Sequence, residues 1–134
     1  MTMAMWAQGR LYVAVLHGGQ PTDEEWSRWV GLGVQRNGLE QRVLVESRGG
    51  GPTPKQRREI VSANKADARI AIMTDSTFVR GIVTAFSWFD IKLRAFPLNG
   101  HDVAVKFLDL TAEETATVLE MLPRIRAEAG VQGQ

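Results

Sequence analysis

The spacing of hydrophobic residues alternates along the chain between the period of a β-strand and that of an α-helix, which predicts strands and helices in turn. Two short apolar runs, Met3 to Ala7 and Arg10 to Leu16, flank the dipeptide Gln8-Gly9. They predict a hairpin, because glycine adopts the positive φ that tight turns need. The run from Leu11 to Leu16 is apolar throughout, which is typical of a central strand covered on both faces.

Helical spacing of apolar residues begins at three places with the sequence of a capping box. In such a pair, a Thr hydroxyl and a Glu or Gln side chain bond the first free backbone N–H groups of the helix. The pairs are Thr22 with Glu25, Thr53 with Gln56, and Thr111 with Glu114. They predict a first helix from about Asp23 to Gln35, a second that begins at Pro54, and a terminal helix through Ile125.

Three more strands are predicted, from Arg42 to Glu46, from Ala68 to Thr74 and around Leu93. The last of them alternates apolar with basic residues, which favours a half-exposed edge strand. A third helix is expected after a cap at Asp75 or Ser76, and a fourth is expected to open at Asn99 and Asp102. The core face of the third helix is expected at Phe78, Ile82, Ala85, Phe86 and Phe89.

This order of elements predicts an α/β fold, a single mixed β-sheet of about five strands with four to five helices. A chain of 134 residues has the size of one domain, so we expect one domain over residues 1–134 with a frayed tail at 130–134. The formal net charge of +1 gives no support to nucleic-acid binding.

Cysteine is absent and no apolar run approaches the ~20 residues of a membrane span, so a cytoplasmic protein without integral membrane association is expected. The two histidines, His17 and His101, have no metal-ligand spacing and are interpreted as loop and surface residues. The cluster Thr74 to Thr77 is interpreted as a helix cap. We therefore expect no catalytic residue, no cofactor and no metal.

The tryptophans divide into two groups. Trp26 and Trp29 have the helical spacing of core residues. Trp88 is harder to bury, and with Val79 and Val83 it could form an exposed apolar patch for a partner or a second copy of the chain. The sequence leaves monomer and homodimer open.

The order of elements over residues 3 to about 128 resembles the STAS domain of anti-sigma-factor antagonists and its SpoIIAA-like relatives. Two stretches carry the resemblance locally, Arg42 to Glu46 leading into Gly49 to Gln56, and Arg69 to Asp75 leading into a helix. The resemblance implies a partner-binding regulatory domain, with a phosphorylated Ser or Thr where the helix after the third strand begins. Thr53 has that position, and a plain N-cap is the alternative interpretation.

The predicted function is thus a non-enzymatic regulatory or scaffold module that binds an unidentified protein partner. The predicted partner-binding residues are Gly50, Gly51, Thr53, Arg57 and Arg58. The alternative is a carrier of a small apolar, lipid-like ligand, as in SpoIIAA-like and CRAL-TRIO-like domains. The residues of that ligand site or apolar patch are Phe78, Val79, Val83, Phe86 and Trp88. An enzyme is the third hypothesis, and it requires Asp75 and His17 to lie close together.

Overall fold

The helices and strands follow the predicted order. The computed structural model describes residues 3–35, 40–49, 52–63, 68–86 and 92–131. The elements are β1 (Met3–Gln8), β2 (Leu11–His17), α1 (Asp23–Gln35), β3 (Gln41–Arg48), α2 (Pro54–Ala63), β4 (Ala68–Met73), α3 (Thr77–Phe86), β5 (Lys92–Phe96), α4 (His101–Leu108) and α5 (Ala112–Glu128).

All five of these strands form one mixed sheet in the order β1-β2-β3-β4-β5. The first pair is the expected antiparallel hairpin, with Gly9 in its turn at φ +60°. The other neighbours are parallel, since a helix connects each strand to the next. The α/β class with a single mixed sheet is therefore confirmed, and the carboxyl ends of β2 to β5 lie along one edge.

Helices cover both faces of the sheet, as the apolar β2 strand predicts. Val13 and Val15 face a core formed with α4 and α5, which contains Leu108, Leu122 and Ile125. On the opposite face, Tyr12 packs with α1, whose Trp29 ring meets it edge to face at 6.4 Å between centroids. The prediction that Trp26 and Trp29 are core residues is confirmed, at 6% and 7% exposed.

The three predicted capping boxes are present at the starts of α1, α2 and α5. In each, the Thr hydroxyl accepts the backbone N–H three residues later and the Glu or Gln side chain accepts the Thr N–H. The prediction that α4 opens at Asn99 and Asp102 was wrong, because the helix begins at His101. Gly100, whose N–H donates to Pro97 O in a turn, is the N-cap residue, and no side chain caps this end.

Candidate functional site

The loops that follow β2 and β3 meet at the carboxyl edge of the sheet. Gly19 N–H donates to Gly49 O at 2.9 Å, which joins the two loops directly. Gly18 and Gly49 have φ of +84° and +94°, a region that strongly favours glycine. The glycines are therefore needed for the path of the backbone at this edge.

The start of α2 is tied to the start of α1 beside these loops. Gln56 is 1% exposed, and its Nε2 donates to Pro21 O at 2.9 Å and to Asp23 Oδ1 at 3.2 Å. Trp26 Nε1 donates to Gln56 O at 2.9 Å. We call residues 18–22, 49 and 52–56 the loop surface. It is preformed, because a backbone hydrogen bond joins its two loops and the buried hydrogen bonds of Gln56 and Trp26 join its two helix ends.

Thr53 lies half-buried on the loop surface and acts as the N-cap of α2. Its N–H donates to Gln56 Oε1 at 3.0 Å, and its hydroxyl accepts Gln56 N–H at 3.2 Å. The predicted cap role is therefore present. The neighbouring Arg58 is exposed, as is Lys55, which lies 3.6 Å from Asp23. Of the other predicted binding residues, Gly50 and Gly51 lie outside the described residues, and so does the side chain of Arg57.

The predicted apolar patch requires a correction. Val79 and Val83 are 7% and 5% exposed, so they contribute to the interior and not to a docking surface. They are four residues apart on α3 and share one face of that helix, which contacts β5. Trp88 and the side chains of Phe78 and Phe86 lie outside the described residues, as does the rest of the predicted core stripe.

A second polar group lies at the same edge, on the face covered by α4 and α5. Glu46 of β3 is fully buried and accepts three N–H···O bonds from Arg126 of α5, at 2.9, 3.1 and 2.8 Å. Arg48 Nε also donates to Glu46. His101, the first residue of α4, completes the group, with Nε2 at 2.7 Å from Arg126 Nη2. We call these four residues the Glu46 cluster.

Opposing effects set the pKa of Glu46. Burial raises it, whereas hydrogen bonds and attraction from Arg126 and Arg48 lower it, and the net result is a lowered pKa. Glu46 is therefore an ionised carboxylate inside the protein. Because Arg126 Nη2 can only donate, a hydrogen bond over this distance requires His101 Nε2 as its acceptor.

The sequence analysis missed the Glu46 cluster. Two signals could have indicated it. Glu46 directly follows the apolar residues Val43 to Val45 within a predicted strand, and Arg126 lies beside Ile125 in the last helix. His101, interpreted as a surface residue, is 27% exposed at its side chain and belongs to this cluster.

The opposite edge of the sheet carries another ion pair. Arg10, in the hairpin turn, donates through Nε and Nη2 to Glu114 at 2.7 and 2.8 Å, and through Nη1 to Glu40 at 2.9 Å. The hydrogen bonds from Arg10 lower the pKa of Glu114 to about 2. This group joins the hairpin to the start of α5, which is a structural role.

The two residues named in the enzyme hypothesis have separate hydrogen-bond partners among the described residues. His17 Nδ1 lies 3.3 Å from Ala129 O, and Asp75 Oδ1 accepts Leu98 N–H at 3.3 Å, so no described hydrogen bond joins the residues of the enzyme hypothesis. In the same part of the chain, no group of three or more acidic, histidine or cysteine side chains could hold a metal ion. An open depression of about 460 Å³ lies between α4 and α5, lined by Asp102, Val105, Lys106, Asp109, Leu110 and Thr115.

None of the helices in the described ranges combines the length and the apolar character needed to cross a membrane. Comparison with models of protein families, with curated proteins and with solved structures found no match.

Proposed function

We propose that the chain is a non-enzymatic regulatory or scaffold module that binds a protein partner through the loop surface. The observation that carries this proposal is the hydrogen-bonded link between the two loops, Gly19 N–H to Gly49 O at 2.9 Å, together with the buried Gln56 that joins α1 to α2. A surface that is ordered before binding loses little conformational entropy when a partner docks.

The chemistry of the loop surface also favours binding over catalysis. The side chains of Thr22, Thr53 and Gln56 in this surface bond backbone groups, and the described contacts pair none of its hydroxyls with a base. Lys55 and Arg58 lie exposed within and next to it and can set electrostatic complementarity with an acidic partner surface.

The STAS resemblance supports the same proposal and suggests how binding is regulated. Thr53 is the N-cap residue of the helix that follows the third strand, the place where phosphorylation in that family changes the surface a partner meets. A phosphate on Thr53 would be stabilised by the helix N-terminus, because the free N–H groups and the helix dipole both favour negative charge there.

The alternative, a carrier of a small apolar ligand, stays a prediction. Phe96, at the end of β5 next to α3, is 8% exposed and packs against Phe107 of α4 with 5.8 Å between ring centroids. A protein ring therefore fills the space beside it.

The experiment that tests the proposed function uses the immobilised full chain and a lysate of the organism that encodes it. The test variant is Lys55→Glu/Arg58→Glu, and the matched control is Arg80→Glu/Arg124→Glu, which makes the same charge change at exposed positions of α3 and α5. A partner identified by mass spectrometry should be retained by the wild type and the control, and reduced at least about tenfold by the test variant. Equal retention by both variants, or no retained protein, would contradict the proposal.

A further inference from the structure

The Glu46 cluster carries more positive than negative charge in a largely buried place. Two guanidinium groups, those of Arg48 and Arg126, share the single carboxylate of Glu46. Their side chains are only 19% and 11% exposed, and the described residues supply no second carboxylate within 4.0 Å of either one. A charge that is mostly removed from water needs a counter-charge, and one positive charge here has none among the described residues.

The same two arginines also have unused hydrogen-bond donors. Arg48 donates only through Nε, and Arg126 only through Nε and Nη2, to the part of the chain that the structure describes. Arg48 Nη1 and Nη2 and Arg126 Nη1 therefore bond no described residue. None of these atoms is among the fully buried side-chain nitrogens that lack a partner, so solvent or a small solute can reach them.

The surroundings of these donors are suited to an anion. The cluster lies at the carboxyl end of β3, the edge of a parallel sheet where ligands usually bind. His101 opens α4, whose N-cap Gly100 supplies no side-chain cap, and its ring contacts Arg126 Nη2, so the uncapped start of that helix lies beside the cluster. His17 of β2 is paired in register with Arg48 of β3, so it lies next to the Glu46 cluster.

We propose that the Glu46 cluster is a binding site for a phosphoryl anion, either free phosphate or the phosphate of a small monoester. Arg48 and Arg126 donate to its oxygens from β3 and α5, beside the uncapped start of α4. Donors from two separate elements suit the several oxygens of a tetrahedral anion, whereas one guanidinium alone can bind a planar carboxylate. Glu46 is a positioning residue that orients both arginines.

This inference does not depend on the proposed function, because it concerns the face of the sheet covered by α4 and α5. Its test is a titration of the full chain with inorganic phosphate, glycerol 3-phosphate and acetate, at constant ionic strength set by NaCl. Calorimetry measures affinity, and NMR follows the ring signals of His101 in the wild-type protein. The variant is Arg48→Gln, which keeps the Glu46–Arg126 pair, and the control is Arg58→Gln on the exposed side of α2.

Phosphate should bind the wild type and Arg58→Gln equally and move the His101 signals, and Arg48→Gln should weaken binding at least about tenfold. Binding of glycerol 3-phosphate as well indicates a monoester site, whereas binding of phosphate alone indicates a site for the free anion, and both support the proposal. Three results would overturn it: no phosphate binding with unmoved His101 signals, equal affinity of wild type and Arg48→Gln, or tighter binding of acetate.

Discussion

Glu46 and Arg126 form a buried ion pair that joins the central strand β3 to the last helix α5, through N–H···O distances of 2.8 to 3.1 Å. Glu46 is completely buried, so its carboxylate depends on the protein for its hydrogen bonds. Such a pair contributes little net stability compared with apolar residues of the same shape, but loss of one partner leaves an uncompensated buried charge.

Arg126→Met should therefore lower the free energy of unfolding by about 3 kcal/mol, because Glu46 would retain only Arg48. Urea unfolding at pH 7 measures this. The control is Arg124→Met, which removes an arginine from the exposed face of the same helix, where it lies 3.8 Å from Glu120. Arg124→Met should lower the free energy of unfolding by less than about 0.5 kcal/mol.

A double variant separates charge from packing. Glu46→Met/Arg126→Met removes both partners and should be more stable than Arg126→Met alone, because the fully buried charge of Glu46 is gone and the charge that remains, on Arg48, is 19% exposed. If the double variant is less stable than either single variant, the contribution of the pair is mainly packing.

The ion pair of Glu114 with Arg10 should make stability depend on acid pH. Arg10 lowers the pKa of Glu114 from 4.5 to about 2, so the folded state favours the ionised form. The stabilisation is present above the unfolded pKa and is lost as the pH falls from about 4.5 towards about 2. Glu114→Gln keeps the capping box but removes the charge, and should cost about 1 kcal/mol at pH 7.

Urea unfolding of wild type and Glu114→Gln at pH 7, 4 and 3 checks this. The difference between the two proteins should shrink as the pH falls, because Glu114 of the unfolded chain binds a proton below about pH 4.5, whereas folded Glu114 stays ionised until about pH 2. A difference that stays constant over this range would show that the charge of Glu114 does not stabilise the fold.

Much of the fold could be predicted because its signals are local. A capping box lies within four residues, and the starts of α1, α2 and α5 are at the predicted residues. The burial of Val13 and Val15 follows from an apolar strand. The cap of α4 depends instead on a turn from Pro97 to Gly100, which carries no capping side chain.

The Glu46 cluster was harder to predict because its contacts are not local. Glu46 and Arg126 are 80 residues apart, and only the packing of α5 on the sheet brings them together. The spacing of apolar residues assigns each residue to one face of its helix or strand. It does not show which charged side chains of different elements contact each other. The burial of Val79 and Val83 was missed for a related reason, because α3 has apolar residues around more of its circumference than one stripe.

Thr53 offers a test of its cap that is separate from partner binding. Thr53→Ala removes the acceptor for Gln56 N–H and should cost about 1 kcal/mol, whereas Thr53→Asp supplies another good N-cap and should stay within about 0.5 kcal/mol of the wild type. Thermal unfolding measures both. If Thr53→Asp folds normally, a change in its partner binding reports on the surface charge. Equal losses for Asp and Ala would show that the hydroxyl is not acting as a simple cap.

Gly49 holds the loop surface through its backbone, and its replacement tests whether that surface is preformed. A Cβ at Gly49 would meet nothing within 4 Å, so any cost of Gly49→Ala comes from φ of +94° alone. We expect a loss of about 1–2 kcal/mol in urea unfolding. The matched control is Gly31→Ala in α1, where a Cβ also meets nothing and helical φ suits alanine, so stability should rise by about 0.5–1 kcal/mol. If both replacements are neutral or stabilising, Gly49 does not constrain the loop. The Gly19–Gly49 hydrogen bond would then be too weak a constraint to order the surface before a partner binds.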